Sequence, residues 1–200
     1  MRLRVYARLR RQYVRSIYLG DSYDIVKRFW AESLCPLGSL YSHPRFVPAE
    51  IRARYTAVTL IPVLDTENLP EVPFGLLLDP HTGIPLHAES TAEATASHAP
   101  LPFVVLANEQ LRPAYMICFD QSFYRRHELS RTEQLEKKRE FLQGQGISSF
   151  YYDSHAPFLF MAGKAETLSA VRSRLVSLGV PEERFGVRVQ SEPRASSRED

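Results

Sequence analysis

The chain has 200 residues, of which 44% are hydrophobic and 24% are charged, and its net charge is +2 at pH 7. This length and balance are typical of one folded globular domain and exclude a largely disordered chain. No apolar run approaches the roughly 18 residues that span a membrane. The two cysteines, Cys35 and Cys118, are too few for a disulfide framework or a zinc site. We therefore expect a cytoplasmic protein without a membrane span.

Charge is distributed unevenly along the chain. Residues 1–17 contain six arginines and no acid, whereas residues 61–100 contain six acids and no lysine or arginine. The basic start predicts contact with DNA, RNA or an acidic partner, although two such blocks can also face each other or be solvated. The predicted nucleic-acid contacts are the arginines of this start and of a later basic loop: Arg2, Arg4, Arg8, Arg10, Arg11, Arg15, Arg125 and Arg126.

The first part of the chain, residues 1–89, is predicted to combine helices with a hairpin. The first ten residues alternate like a strand, although a helix also fits, and residues 23–34 have the apolar stripe of a helix. Pro48 opens a short helix, and the β-branched residues of 55–64 predict a strand. Residues 74–78 and 84–87 flank the sequence DPHTG, which is typical of a β-hairpin.

The second part, residues 101–190, is predicted to be an α/β core after a loop or linker at 90–100. Apolar runs predict strands at 103–107, 114–119, 147–152, 158–162 and 185–189. Ser130 and Glu133 form a capping box that opens a helix ending near Gly144 or Gly146, and residues 164–178 form an amphipathic helix. Residues 191–200 are predicted to be a disordered tail. The whole is expected to be a single mixed-sheet α/β (α+β) domain with a C-terminal βαβ extension.

Asp120 is the residue that we expect to carry chemistry, because it follows directly on the apolar run 114–119. Magnesium sites usually use one or two carboxylates together with substrate phosphates. Glu109 on the preceding turn and Glu133 on the following helix are the acids that could converge on Asp120. These three are the candidate catalytic residues, with Asp120 as the candidate metal ligand. The alternative is that Asp120 simply ends a strand at the surface.

The stretch from 103 to 153 resembles the core of the PD-(D/E)xK, restriction-endonuclease-like nucleases. The resemblance lies in FVVL from residue 103, AYMICFD from residue 114, a basic loop, a charged helix and GISSFY from residue 146. It implies a β-β-α-β core in which two acids and a lysine act together. This chain has Pro102-Phe103 and Cys118 at the two acid positions, and Asp120 where the family usually has lysine. The resemblance therefore implies a degenerate relative that associates with nucleic acid or its processing complexes, does not cleave, and uses no cofactor.

Two other functions remain open from the sequence. The acidic, proline-rich middle of the chain, residues 61–102, is suited to binding a protein partner, which would make this an accessory protein. A metal-dependent phosphodiesterase centred on Asp120, with magnesium as its cofactor, is the other alternative.

Overall fold

The computed structural model describes residues 19–86, 95, 97–123, 128–155 and 157–186. In this part of the chain five strands form one sheet in the order β1-β2-β3-β5-β4. The strands are β1 (Ser39–Ser42), β2 (Phe74–Leu78), β3 (Tyr115–Phe119), β4 (Ser148–Tyr152) and β5 (Phe158–Ala162), and the helices are α1 (Ser22–Leu34), α2 (Arg52–Thr59), α3 (Leu101–Leu111), α4 (Arg131–Gly144) and α5 (Ala165–Ser177).

The sheet is mixed, which confirms the predicted α/β class. Strands β1, β2 and β3 are parallel, with Leu40 opposite Gly75 and Gly75 opposite Tyr115. Strand β5 is antiparallel to both β3 and β4. The ends of β1 to β4 and the beginning of β5 therefore lie along the same side of the sheet, which we call the carboxyl edge. Because β1 and β2 belong to this sheet, the first part of the chain and the predicted core share it.

Helices cover both faces of the sheet. On one face α1, α2 and α5 pack against the strands through residues such as Trp30 and Tyr55. On the other face α3 and α4 pack through residues such as Val104 and Leu135. Strands buried on both faces contain continuous apolar runs, which explains why β2, β3 and β5 show no alternation with polar residues.

Several predicted elements are confirmed. The helix predicted at 23–34 is α1, and the amphipathic helix predicted at 164–178 is α5. The capping box is formed, since the Ser130 hydroxyl accepts from the Glu133 amide at 3.3 Å and the Glu133 carboxylate accepts from the Ser130 amide at 2.7 Å. The helix that it opens ends at Gly144, as predicted.

The strand predicted at 103–107 is wrong, because these residues lie within helix α3. Pro102 occupies the first turn, where proline is tolerated, and Leu101, Val104 and Ala107 are buried on one face at helical spacing. The order over 101–152 is therefore α-β-α-β rather than the β-β-α-β implied by the nuclease resemblance. Strands β3 and β4 are also separated in the sheet by β5.

Two further predictions in the first half are wrong. Residues 52–59 form helix α2, with Tyr55 and Thr59 buried one turn apart, so packing overrides the β-branched composition. Of residues 55–64, Val63 is the one that pairs like a strand, through an isolated parallel bridge to Ser42. The predicted hairpin does not form, because β2 pairs with β1 and β3, and Gly83 instead bridges to His98.

Some predictions fall on residues outside the described part of the chain. These are the strand at 1–10, the tail at 191–200, most of the linker at 90–100 and most of the strand at 185–189. Phe185 itself makes a one-residue antiparallel bridge with Tyr152. Among the described residues, no helix is long and apolar enough to cross a membrane.

Candidate functional site at the carboxyl edge

A cavity of about 280 Å³ opens at the carboxyl edge, between the start of α1 and the residues that follow β2 and β3. In open α/β sheets, ligands bind beyond the carboxyl ends of the parallel strands, which is where this cavity lies. Its lining includes charged, aromatic and amide side chains, among them Tyr23, Asp24, Lys27, Asp79, Phe119 and Gln121.

Lys27 is the central charged residue of the cavity wall. It lies on the buried stripe of α1 between Asp24 and Trp30 and is only 7% exposed. Its ammonium donates to Asp24 Oδ1 at 3.0 Å and to Asp79 Oδ2 at 2.7 Å. Burial disfavours the charged form, but the nearby negative charge, chiefly that of Asp79, outweighs it and holds the pKa of Lys27 well above its usual range. Lys27 is therefore a fixed cation.

Lys27 has one N–H donor, and Asp79 one oxygen, that form no hydrogen bond with another described residue. An ammonium has three N–H donors, and Lys27 uses two of them on described residues. Its nitrogen also lies 6.0 Å from the ring centroid of Tyr55, at the outer limit of a cation–π contact. Asp79 accepts from Lys27 and from the Tyr55 hydroxyl, both at Oδ2, and within the described part of the chain its Oδ1 accepts nothing. An N–H donor of Lys27 and an oxygen acceptor of Asp79 therefore lie close together with no hydrogen-bond partner among the described residues.

Tyr55 contacts the Asp79 carboxylate from behind the cavity lining. Its hydroxyl lies 3.3 Å from Asp79 Oδ2 and 2.8 Å from the Ser42 hydroxyl at the end of β1. Burial, and then the charge of Asp79, raise the pKa of Tyr55 well above its usual value, so the phenol stays neutral and acts as a donor. The position of the Asp79 carboxylate is thus fixed by two side chains from different helices.

An aromatic wall stands beside these charges. The ring of Tyr23 meets that of Phe119 edge to face at 5.3 Å and lies 5.9 Å from the ring of His155. The Tyr23 hydroxyl accepts from the Gln121 amide at 2.9 Å, and the same amide donates to the backbone of His155 at 3.0 Å. These contacts fix the orientation of the Tyr23 ring at the cavity.

Asp120, the predicted catalytic residue, is fully engaged within the protein. Its Oδ1 accepts from the amides of Ile84 at 2.9 Å and Ser122 at 3.1 Å. Its Oδ2 accepts from the Lys138 ammonium and the Tyr151 hydroxyl, each at 2.8 Å. A carboxylate has about four acceptor positions, so all of them are occupied. Asp120 is 1% exposed, and the alternative of a surface aspartate is therefore wrong.

The bonds of Asp120 fix the loop that carries the cavity residues. Gly83 has a φ of +119°, and a Cβ atom placed there would lie 2.6 Å from Asp120 Cα, so only glycine allows the loop to approach this closely. The next residue, Ile84, donates its amide to the Asp120 carboxylate. The loop from Asp79 to Ile84 is therefore attached to the end of β3, and Asp120 supports the cavity wall.

The other predicted catalytic residues do not join Asp120. Glu133 is exposed and occupied in the capping box of α4. Glu109 borders a cavity with Pro113, which precedes β3, and so lies at the opposite edge of the sheet from Asp120. Among the described residues, no group of three or more His, Cys, Asp and Glu side chains is arranged to hold a metal ion.

Two further sequence predictions concern contacts with nucleic acid and with a protein partner. The eight arginines proposed to contact nucleic acid, Arg2, Arg4, Arg8, Arg10, Arg11, Arg15, Arg125 and Arg126, are outside the described residues. Much of the predicted partner-binding segment 61–102 belongs to the core, including Ile61, Leu64 and β2. Its use as a protein-binding segment stays a prediction.

The two buried lysines were missed from the sequence, although a signal was present. Lys138 lies three residues after Leu135 and four before Leu142, on the buried stripe of α4. Lys27 holds the matching position three residues before Trp30 in α1. A lysine on an apolar helical stripe must find an anion when it is buried, and this points to a buried carboxylate opposite.

Larger cavities exist, but their charged residues are solvated. The one at the opposite edge of the sheet has a volume of about 1170 Å³, and Glu109, Arg112 and Lys164 in its lining are all exposed. The smaller carboxyl-edge cavity is the better candidate, because its charged residues Asp24, Lys27 and Asp79 are buried and held in fixed positions.

Comparisons of this chain with protein-family models, with curated proteins and with solved structures returned no match. The fold and the site define its class: an open, mixed α/β sheet with a polar and aromatic cavity at its carboxyl edge.

Proposed function

We propose that this protein binds a small polar molecule in the carboxyl-edge cavity. The observation that carries the proposal is the open Oδ1 of Asp79 beside the unfilled N–H of Lys27. A hydrogen bond to a charged group contributes about 1.5–3 kcal/mol. A ligand that supplies an acceptor to Lys27 and a donor to Asp79 would make two such bonds on binding.

The charge of the cavity restricts the ligand further. Three aspartates, Asp21, Asp24 and Asp79, line it with a single lysine, Lys27. Like charges close together repel each other, so a phosphate or carboxylate inside the cavity is disfavoured. We therefore propose a ligand whose bound portion is uncharged or cationic.

Thermal unfolding with a ligand panel tests this proposal. The panel holds nucleosides, polyols, amino acids and polyamines, because a molecule that binds only the folded state raises its stability according to its concentration and Kd. We expect a stabilising member whose effect is lost in Asp79→Asn. Glu32→Gln, a neutralised acid on the exposed side of α1, is the matched control and should behave as the native chain does. No stabilisation by any member, with titration calorimetry in agreement, would contradict the proposal.

A second candidate function is association with nucleic acid without cleavage. The observation that favours it is where the arginine-bearing segments join the described structure. Arg15 is six residues before Asp21, and Arg125 is four residues after Gln121, while Asp21 and Gln121 both line the cavity. Arginine side chains neutralise phosphates, whereas the acidic cavity itself disfavours anions.

Fluorescence anisotropy with labelled single-stranded DNA and RNA tests the second candidate. We expect affinity that falls with salt concentration and falls further in the triple variant Arg8→Glu, Arg10→Glu and Arg11→Glu. The control reverses the charge of Arg54 and Lys164, which lie in the described part of the chain away from the cavity. Equal affinity in the two variants would contradict this function. Magnesium-dependent cleavage that Asp120→Ala abolishes, while a folded chain is retained, would favour a phosphodiesterase instead.

A further inference from the structure

We infer that the occupant of the carboxyl-edge cavity is a nucleobase, held by its hydrogen-bonding edge against Lys27 and Asp79. This inference rests on the ligand binding proposed above and names its chemical class. It is drawn from the hydrogen-bond positions, the aromatic wall and the charge of the cavity together.

The first argument is the order of donor and acceptor. Lys27 offers an N–H and Asp79 offers an oxygen, and the two groups are joined by a 2.7 Å hydrogen bond, so their open positions are neighbours. The matching ligand has an acceptor and a donor side by side, both bonded to the same carbon. The pairing edges of adenine, cytosine and guanine each have this pattern, and proteins that hold a single base in a pocket read that edge.

The second argument is the aromatic, partly apolar wall. Tyr23 and Phe119 line the cavity beside the charged pair, and Tyr23 is held by the Gln121 amide. Every base has a π face that packs on an aromatic side chain. A sugar or polyol supplies donors and acceptors but no flat face, so it leaves this wall without a matching surface.

The third argument is charge. A base is neutral, which suits a lining of three aspartates and one lysine, whereas the phosphate of a nucleotide would have to lie outside. A base inside the cavity with its phosphate outside satisfies this pattern of charge.

Titration calorimetry on the full chain tests the inference from the ligand side. The probes are adenosine, cytidine, guanosine, ribose, and the N6,N6-dimethyl and N4,N4-dimethyl derivatives of adenosine and cytidine. We expect at least one of the three parent nucleosides to bind. The dimethyl derivative of a binding adenosine or cytidine should bind at least tenfold more weakly, because its amino group can no longer donate to Asp79. Ribose should not bind.

Protein variants supply the second arm. In Asp79→Asn, Lys27 and Tyr55 both donate to the position of Oδ2, so the amide oxygen takes that position and the NH₂ group takes the open one. A donor then replaces the open acceptor, and nucleoside affinity should fall at least tenfold. Tyr23→Ala should also weaken binding at least tenfold, while Tyr41→Ala, a tyrosine packed on Phe74 away from the cavity, should leave it unchanged.

The outcomes separate this inference from the proposed function. Binding of a polyol, amino acid or polyamine that depends on Asp79, with no nucleoside binding, would overturn the nucleobase assignment and leave ligand binding intact. Nucleoside binding that is equal for the dimethyl derivatives, or unchanged in Asp79→Asn, would overturn the assignment as well. If circular dichroism shows that Tyr23→Ala is unfolded, the dimethyl derivatives decide the matter on the native chain.

Discussion

Asp79 and Asp120 follow adjacent parallel strands, yet they face opposite sides of the sheet. Leu78 stands opposite Cys118 in the register of β2 and β3, so Asp79 lies one residue beyond that pair and Asp120 lies two residues beyond it. Side chains alternate between the faces of a sheet, and this offset of one residue separates the two carboxylates.

Each aspartate nevertheless accepts from one lysine of a helix and one tyrosine. Asp79 has Lys27 and Tyr55, and Asp120 has Lys138 and Tyr151. The two aspartates differ at Oδ1. In Asp120 this oxygen accepts from two backbone amides, whereas in Asp79 it accepts from no described residue. We therefore assign support of the fold to Asp120 and propose ligand contact for Asp79.

Replacing Asp120 should destabilise the protein strongly. Asp120→Ala leaves Lys138, which has no exposed surface, as a buried charge without its anion, and breaking such a pair costs about 3–5 kcal/mol. Urea unfolding measures this loss. The double variant Asp120→Ala with Lys138→Met should recover part of it, since it removes the unpaired charge. A single variant as stable as the native chain would contradict the structural role.

Asp79→Asn should cost less stability than Asp120→Asn. Lys27 keeps its hydrogen bond to Asp24 at 3.0 Å when Asp79 is neutralised, whereas Lys138 loses its only anionic partner among the described residues. We expect a loss of about 1–2 kcal/mol for Asp79→Asn and about 3 kcal/mol or more for Asp120→Asn. Parallel urea titrations compare the two. A larger loss of stability for Asp79→Asn than for Asp120→Asn would contradict the structural role assigned to Asp120.

The contact between Gly83 and Asp120 gives a prediction about backbone conformation. In Gly83→Ala the new Cβ meets Asp120, and the positive φ is unfavourable for alanine, so stability should fall by about 2 kcal/mol or more. Gly163→Ala is the matched control, because a Cβ there has no atom within 4 Å. Its stability should be unchanged or slightly higher. Equal thermal midpoints for the two variants would contradict the close approach.

The sequence could predict most of the helices and strands where pattern and local signals agree. The apolar stripe of α5 and the capping box at Ser130 are local features, and both were confirmed. The run at 103–107 was ambiguous, because a short apolar segment with two valines fits a buried strand or a buried helix face. The helical structure of residues 103–107 depends on the packing of α3 against α4 and the sheet, which no local signal encodes.

The candidate site was predicted only in part. The sequence predicts Asp120 as a strand-end acid, but the hydrogen bonds that Lys138 and Tyr151 donate to it come from residues 18 and 31 positions away. The sequence DPHTG predicts a hairpin turn at Asp79, whereas in the structure Asp79 directly follows strand β2 inside the sheet. The pairing with Lys27 joins residues 52 positions apart, and only the parallel order of β1, β2 and β3 brings them together.

The last prediction concerns His43, which follows β1 and packs against Phe46 and Phe103. Burial, and then the charge of Arg45, lower the pKa of His43 from 6.5 to about 4. In addition, its Nδ1 accepts from the Arg45 amide at 3.1 Å, and protonation at that nitrogen would remove the bond. The folded state therefore favours neutral His43, while the unfolded chain protonates it near pH 6.5.

It follows that His43 contributes no pH dependence above about pH 7 and that stability falls as the pH drops from about 6.5 towards 4, because the unfolded state then binds more protons. At pH 4.5 the expected loss from this residue is about 2 kcal/mol. Urea unfolding at pH 7.5 and 4.5 should show a larger drop for the native chain than for His43→Asn, whose amide oxygen can still accept from Arg45 but does not titrate. An equal loss of unfolding free energy in the two proteins would mean that His43 is protonated as easily in the folded state as in the unfolded chain. That result would contradict the packing of His43 against Phe46 and Phe103.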